Sequence, residues 1–159
     1  MSGLVVKTTG SATTAPPEAP IANDGFFPDV PPAVTRDQYR IRDNVTPARL
    51  RKALVGAIIT VGNQLGAFRD EQMAAGHATL AAVPAPQIDG QSRFELLYAR
   101  AVGAYAKAEL VEAYRDIDTT TAGQRQAEEM EPSIVELRRD ALHAIRDILG
   151  RPRMRSELI

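Results

Sequence analysis

The sequence predicts an all-α protein: a three to four helix bundle with an extended N-terminal arm and a C-terminal tail. Three observations carry this. Apolar residues recur at steps of three and four along three long segments, the period of a helix with one buried face. No run of strand length alternates apolar with polar residues. The first 24 residues are rich in Ser, Thr, Ala, Pro and Gly, a composition that buries too little apolar surface to offset its ordering entropy. A length of 159 residues is most simply one domain with extensions. The expected organisation is therefore a mobile arm over 1–24, a helical domain over 25–150 and a docking tail over 151–159.

At the root of the arm stand Phe26 and Phe27, two of only four Phe in the chain. Two adjacent rings either plug the root into the bundle or dock on a neighbouring molecule. Burying one Phe is worth about 1.5–3 kcal/mol, enough to fix that root. From Pro31 the pattern becomes helical. "PPAVTRDQYRIRD" starts with prolines and sets Val34, Gln38 and Ile41 on one stripe, a short and weak helix.

The long second segment has Thr46 as N-cap and Pro47 at the first helical position. Leu50, Leu54, Ala57, Ile58, Val61, Leu65, Phe68 and Gln72 follow as one stripe, and Gly76 is the stop. A helix from Pro47 to Ala75 would be about 43 Å long at 1.5 Å per residue. Within it "GNQLG" places Gly62 and Gly66 at GxxxG spacing; each costs about 1 kcal/mol against Ala in a helix. Close helix packing, or chance, would account for them.

"VPAPQIDGQS", with two prolines and Asp-Gly, is a loop. Ser92 caps the third segment, with Glu95 three residues on as in a capping box, and Phe94, Leu97, Tyr98, Ala101, Tyr105 and Ala108 form its buried stripe. Ser133, or a neighbour, opens the last segment. Ile134, Leu137, Ala141, Ala144, Ile145 and Ile148 are its stripe, and Gly150 with Pro152 ends it. The tail "RPRMRSELI" alternates Arg151, Arg153 and Arg155 before Leu158 and Ile159. In an extended chain the three Arg share one side, as in a linear docking strand; an ordinary frayed end reads the same way.

Composition excludes several functions. With 19 basic and 20 acidic residues the net charge is -1, against the basic excess of a protein that coats nucleic acid. There is no Cys, so no disulfide, thiol nucleophile or Cys-built zinc site can form, and a reducing compartment fits. No apolar run approaches the roughly 20 residues of a membrane span, and the N-terminus lacks the apolar core of a signal peptide.

Catalytic candidates are sparse. Asp140, His143 and Asp147 share one helical face and could ligate a metal, but Glu136 and Arg139 on the same face suit a solvated charged surface. His77 follows a helix-ending Gly without an identifiable partner. Asp116 and Asp118 stand at a helix end, where turn-forming Asp is common. Glu128–Glu131 form an acidic cluster before a helix, where negative charge suits the dipole. There is no phosphate-binding loop and no nucleophile elbow, so neither an enzyme nor a cofactor is expected.

"FFPDV", "TPARLRKAL", "AGHATLAAVPAPQIDG", "LYARAVGAYAKAELVEAYRDID" and "IVELRRDALHAIRDILGRPR", in this order, resemble the head completion proteins of peduovirus-type tailed phages. The resemblance runs from about Phe26 to Ile159 and leaves the arm uncovered. It implies a non-enzymatic virion protein, assembled in the host cytoplasm and located at the head–tail connector. Such a subunit would join the portal vertex after DNA packaging, seal the filled head and offer the tail its attachment surface. Implied partners are the portal protein, neighbouring copies in a ring, usually of about twelve, and a tail-terminator or neck protein. DNA would pass through the ring without sequence-specific binding, which a near-zero charge suits. On this chain Phe26, Phe27, Arg151, Arg153, Arg155, Leu158 and Ile159 become the candidate partner contacts, the last five against the portal.

The alternative is a small helical nucleic-acid-binding packaging or regulatory protein. A salt-dependent gel shift by the free protein would favour it. Stoichiometric metal in the purified protein would instead favour an enzyme built on Asp140, His143 and Asp147.

Overall fold

The computed structural model describes residues 18–115 and 132–152. Among them the order is α1 (Pro32–Gln38), α2 (Pro47–Ala74), a 3-10 turn (Leu80–Ala82), β1 (Gln87–Ile88), β2 (Gln91–Ser92), α3 (Arg93–Arg115) and α4 (Ile134–Ile148). The fold is all-α apart from that two-stranded ribbon.

Local chemistry sets the helix ends. Thr46 Oγ1 accepts from the Arg49 N–H at 3.4 Å and opens α2 with Pro47 behind it. At the other end Gly76 turns left-handed (φ 94°), the His77 N–H reaches the Gln72 carbonyl and the Gly76 N–H that of Met73. That pattern satisfies the last carbonyls of the helix. A capping box opens α4: the Glu136 N–H donates to Ser133 Oγ at 3.2 Å, and the Ser133 N–H donates to the Glu136 carboxylate at 2.8 Å. Gly150 (φ 63°) closes α4 as Gly76 closes α2, with the Arg151 N–H on the Arg146 carbonyl at 2.9 Å.

Two elements differ from expectation. Helix α1 stops at Gln38, because Arg40 takes the left-handed conformation (φ 48°) and the Ile41 N–H folds back to Arg36. Pro32 and Thr35 are its buried residues; Val34 is 47% exposed, and Ile41 is buried beyond the helix end. The loop before α3 contains a tight hairpin. Asp89 and Gly90 both have positive φ (50° and 72°), the geometry of the two-residue turn that Asp-Gly favours, and Gln87 pairs with Ser92. Ser92 is buried and its Oγ accepts from the Phe94 N–H at 3.3 Å.

Helix α3 is the centre of the bundle. It packs along α2 and along α4, which scarcely touch each other. Being covered on two sides, it buries more than one stripe. Tyr98, Ala101 and Ala108 are buried as the periodicity predicts; Val102, Ala104, Ala106 and Leu110 are buried as well, while Phe94, Leu97 and Tyr105 are only partly covered. Small side chains on this helix let both neighbours approach. Helix α4, covered on one side among the described residues, follows most of its expected stripe: Leu137, Ala141, Ala144, Ile145 and Ile148 are buried, and Ile134 in the first turn is only partly covered.

The closest approach is at Gly103. The Tyr39 ring lies where a Gly103 Cβ would stand, and the Tyr39 hydroxyl donates to the Arg100 carbonyl at 2.9 Å. Gly62 and Gly66 are different: a Cβ on either would meet nothing within 4 Å. Close packing among the described residues therefore does not account for the GxxxG spacing. Gly103→Ala should lower stability by about 1–3 kcal/mol through overpacking, whereas Gly62→Ala in dilute protein should raise it by up to about 1 kcal/mol. Urea unfolding of the two variants separates these cases.

Candidate assembly surfaces

The root of the arm is folded onto the bundle. Ile21 and Val30 exchange two backbone hydrogen bonds, at 2.8 and 3.0 Å, and both side chains are buried. Between them the chain makes a tight loop in which Gly25 takes φ 92°, a conformation that favours glycine. One carboxylate oxygen of Asp24 accepts from the Phe26 and Phe27 N–H groups, each at 3.0 Å, and the other accepts from Arg69 of α2 at 3.1 Å. This is the side-chain turn that Asp makes readily.

That turn drives both rings inward. Phe26 and Phe27 are each 3% exposed and meet edge to face, with centroids 5.1 Å apart. Phe27 stacks on Tyr98 of α3 at 4.8 Å and 8° between planes. The Leu80 N–H donates to the Phe26 carbonyl at 2.8 Å, tying the 3-10 turn to the same point. Asn23 completes the junction: its side-chain amide donates to the Tyr98 hydroxyl at 2.8 Å and to the Pro28 carbonyl at 3.1 Å. Of the two roles open to the rings, the structure shows the first: they anchor the arm in the chain's own core. Asn23, Asp24 and Arg69 are parts of this junction that periodicity did not single out; the run "NDGFF", a turn signal fused to two rings, is the visible sign of the first two, and Tyr98 alone among their partners stood in a predicted buried stripe.

Upstream, Glu18 pairs with Arg36 of α1 at 2.8 Å, and Arg51 of α2 donates to the Ala19 carbonyl at 3.1 Å. Together with Ala19, Pro32, Pro47 and Ala48, Glu18 and Arg51 line a recess of about 230 Å³.

At the far end, Arg151 is exposed and its backbone closes the cap of α4. Arg153, Arg155, Leu158 and Ile159 lie outside the described residues, as do Asp116, Asp118 and Glu128–Glu131. On the charged face of α4, Asp140 reaches Arg100 of α3 at 3.4 Å, and Arg138 reaches Glu112 at 2.6 Å. All four side chains are about half exposed, so these pairs contribute at most about 1 kcal/mol each. No group of three or more His, Asp or Glu side chains placed to hold a metal occurs among the described residues. His77 takes part in the end of α2 through its backbone N–H.

The comparisons with known proteins decide the family. The family described as phage head completion protein (GPL) matches residues 21–159. This chain belongs to the phage head completion protein family. It is similar to the head completion/stabilization protein of Escherichia phage P2, with 40% identity over 136 residues, covering 86% of this chain and 80% of that protein. It is also similar to a probable head completion/stabilization protein of Haemophilus phage HP1, with 28% identity over 133 residues, covering 84% and 87%. No solved structure matches. Membership gives the chain a structural role in the phage head, as a virion-associated component. The match opens at Ile21, the residue whose bridge to Val30 starts the folded root.

Two predictions test the junction. Phe27→Ala should cost about 3–5 kcal/mol, because it empties a buried ring site and unstacks Tyr98. Burial pushes the Tyr98 hydroxyl from its ordinary value of 10.0 up to about 12, with the Asn23 hydrogen bond opposing and the Asp24 charge assisting. A raised tyrosine contributes stability that is complete below pH 10 and is lost as pH rises toward 12. Stability should therefore decline across that window, and Tyr98→Phe should remove part of the decline, at a neutral-pH cost of about 1 kcal/mol for the lost hydrogen bond. Urea midpoints followed against pH check both.

Proposed function

We propose that this chain is a head completion adaptor that binds the portal vertex after DNA packaging, seals the filled head and provides the surface on which the tail attaches. The observation that carries the reading is the family match, which spans the folded root, the bundle and the C-terminal tail together. The architecture supports it. A rigid body of three packed helices holds the folded root at the Phe26–Phe27 anchor and Arg151 at the cap of α4.

In this reading the portal is met by the C-terminal tail. Arg151, Arg153 and Arg155 supply bidentate cations, and Leu158 and Ile159 an apolar tip. Phe26 and Phe27 contribute indirectly, by fixing the folded root, residues 18–30, from which the residues before Glu18 reach a neighbour. Copies of the chain surround the DNA exit as a ring, each using two different surfaces so that head-to-tail contacts close by rotation. The opposite side of the ring receives the tail-terminator or neck protein. DNA slides through, because a near-neutral subunit does not grip phosphate.

The test is co-sedimentation of the purified protein with DNA-filled, tailless heads, using empty procapsids as control. Selective binding to filled heads, with the packaged DNA gaining nuclease protection, is expected. Binding to neither particle overturns the proposal. Removing residues 153–159 should abolish head binding while leaving the thermal midpoint of the bundle unchanged.

A further inference from the structure

One face of α2 carries a pattern that nothing among the described residues covers. Val55 and Ile59 are 39% and 57% exposed, Met73 is 52% exposed, and Gly62 and Gly66 lie in line with them. The spacing, four, three, four and seven residues, keeps all five on one side of the helix. They form a stripe about a third of a turn around the helix from the buried Leu50, Leu54, Val61 and Leu65, and the two glycines are half-buried. The two glycines cost helix stability, and nothing among the described residues occupies the space beside them.

We propose that two copies of this chain pair antiparallel along this face of α2. The stripe is complementary to itself in that one direction. When α2 runs against a copy of itself with the two-fold axis between Ile59 and Gly62, Ile59 falls on Gly62 of the second copy and Val55 on its Gly66. Each large side chain then meets a gap left by a missing one, and the symmetry repeats every contact. Met73 falls beside Ala48 of the second copy, at the rim of the recess lined by Pro32, Pro47 and Ala48. An unbranched, flexible thioether suits an irregular apolar hollow of this kind.

Charge selects the same register. A two-fold axis across two antiparallel helices brings each flank against its own counterpart. Lys52 and Asp70 lie on one flank, and this register brings Lys52 within one residue step of Asp70 of the second copy, at both ends of the contact. Both residues are exposed, Asp70 by 69%. The other flank carries Arg51 and Arg69, each already engaged within its own chain, on the Ala19 carbonyl and on Asp24 and Asp70 respectively. A parallel pairing would instead set Lys52 against Lys52, and Ile59 against Ile59.

This contact closes at two copies and is not the head-to-tail contact of a ring, so it stands or falls independently of head binding. The test is sedimentation of the purified full chain over a broad concentration range. A reversible monomer–dimer equilibrium is expected. Gly62→Leu with Gly66→Leu should raise the dimer dissociation constant about tenfold or more. Leu is a better helix former than Gly, so the helical circular dichroism of that variant should be retained. Lys52→Glu and Asp70→Lys should each weaken the dimer, and the two together should restore it. Monomer at every concentration, assemblies larger than a dimer, or association indifferent to the glycine substitutions would overturn the proposal. A charge-swapped double variant no tighter than the single reversals would overturn the antiparallel register.

Discussion

Tyr98 is completely buried, and a buried phenol must find a partner for its hydroxyl or lose the solvation it had in water. The partner is Asn23, from a segment 75 residues away in sequence. Around that one hydrogen bond the arm root takes its shape. Asn23 and Asp24 turn the chain, the turn delivers Phe26 and Phe27 into the core, and Phe27 covers the Tyr98 ring. The hydrogen bond contributes about 1 kcal/mol and the ring pairs about 0.5–1.5 kcal/mol each beyond area burial. Burial of two Phe side chains contributes more, at about 1.5–3 kcal/mol each. The polar groups therefore decide where the root sits, and the rings decide that it stays.

The rest of the bundle follows from what covers α3. A helix packed on two sides cannot carry bulky residues on both, because interiors are close-packed and neighbouring helices sit about 8–10 Å apart. Ala101, Ala104, Ala106 and Ala108 meet that limit. Gly103 is the extreme case, where even a methyl group would occupy the place of the Tyr39 ring. That contact brings the end of α1 onto α3, and the Tyr39 hydroxyl fastens it there. Surface ion pairs add little: apart from the better shielded Glu18–Arg36 pair, those described join side chains about a third to two thirds exposed.

Among the described residues the folded root is anchored by Phe26 and Phe27, Arg151 is exposed where α4 ends, and α2 carries Val55, Ile59 and Met73 exposed on the side that holds Gly62 and Gly66. Charged side chains on α4 that could suggest a reactive cluster instead pair with α3, Asp140 with Arg100 and Arg138 with Glu112.

What the sequence by itself determined is the set of local events. Thr46–Pro47 and Ser133 start helices, Gly76 and Gly150 end them, and the one-sided stripe of α4 is buried as its period dictates. These depend on backbone hydrogen bonds and dihedral preferences a few residues apart, so they are written in neighbouring letters. The Asp-Gly pair likewise marked a turn, though the two-residue strands beside it are too short to leave an alternation. Only the tertiary structure decided which glycine is crowded and which is open, that α3 is covered on both sides, and that Phe26 and Phe27 turn inward onto Tyr98. Each of these is a meeting of residues far apart in the chain, and periodicity reports which face of a helix is apolar but not what comes to lie against it.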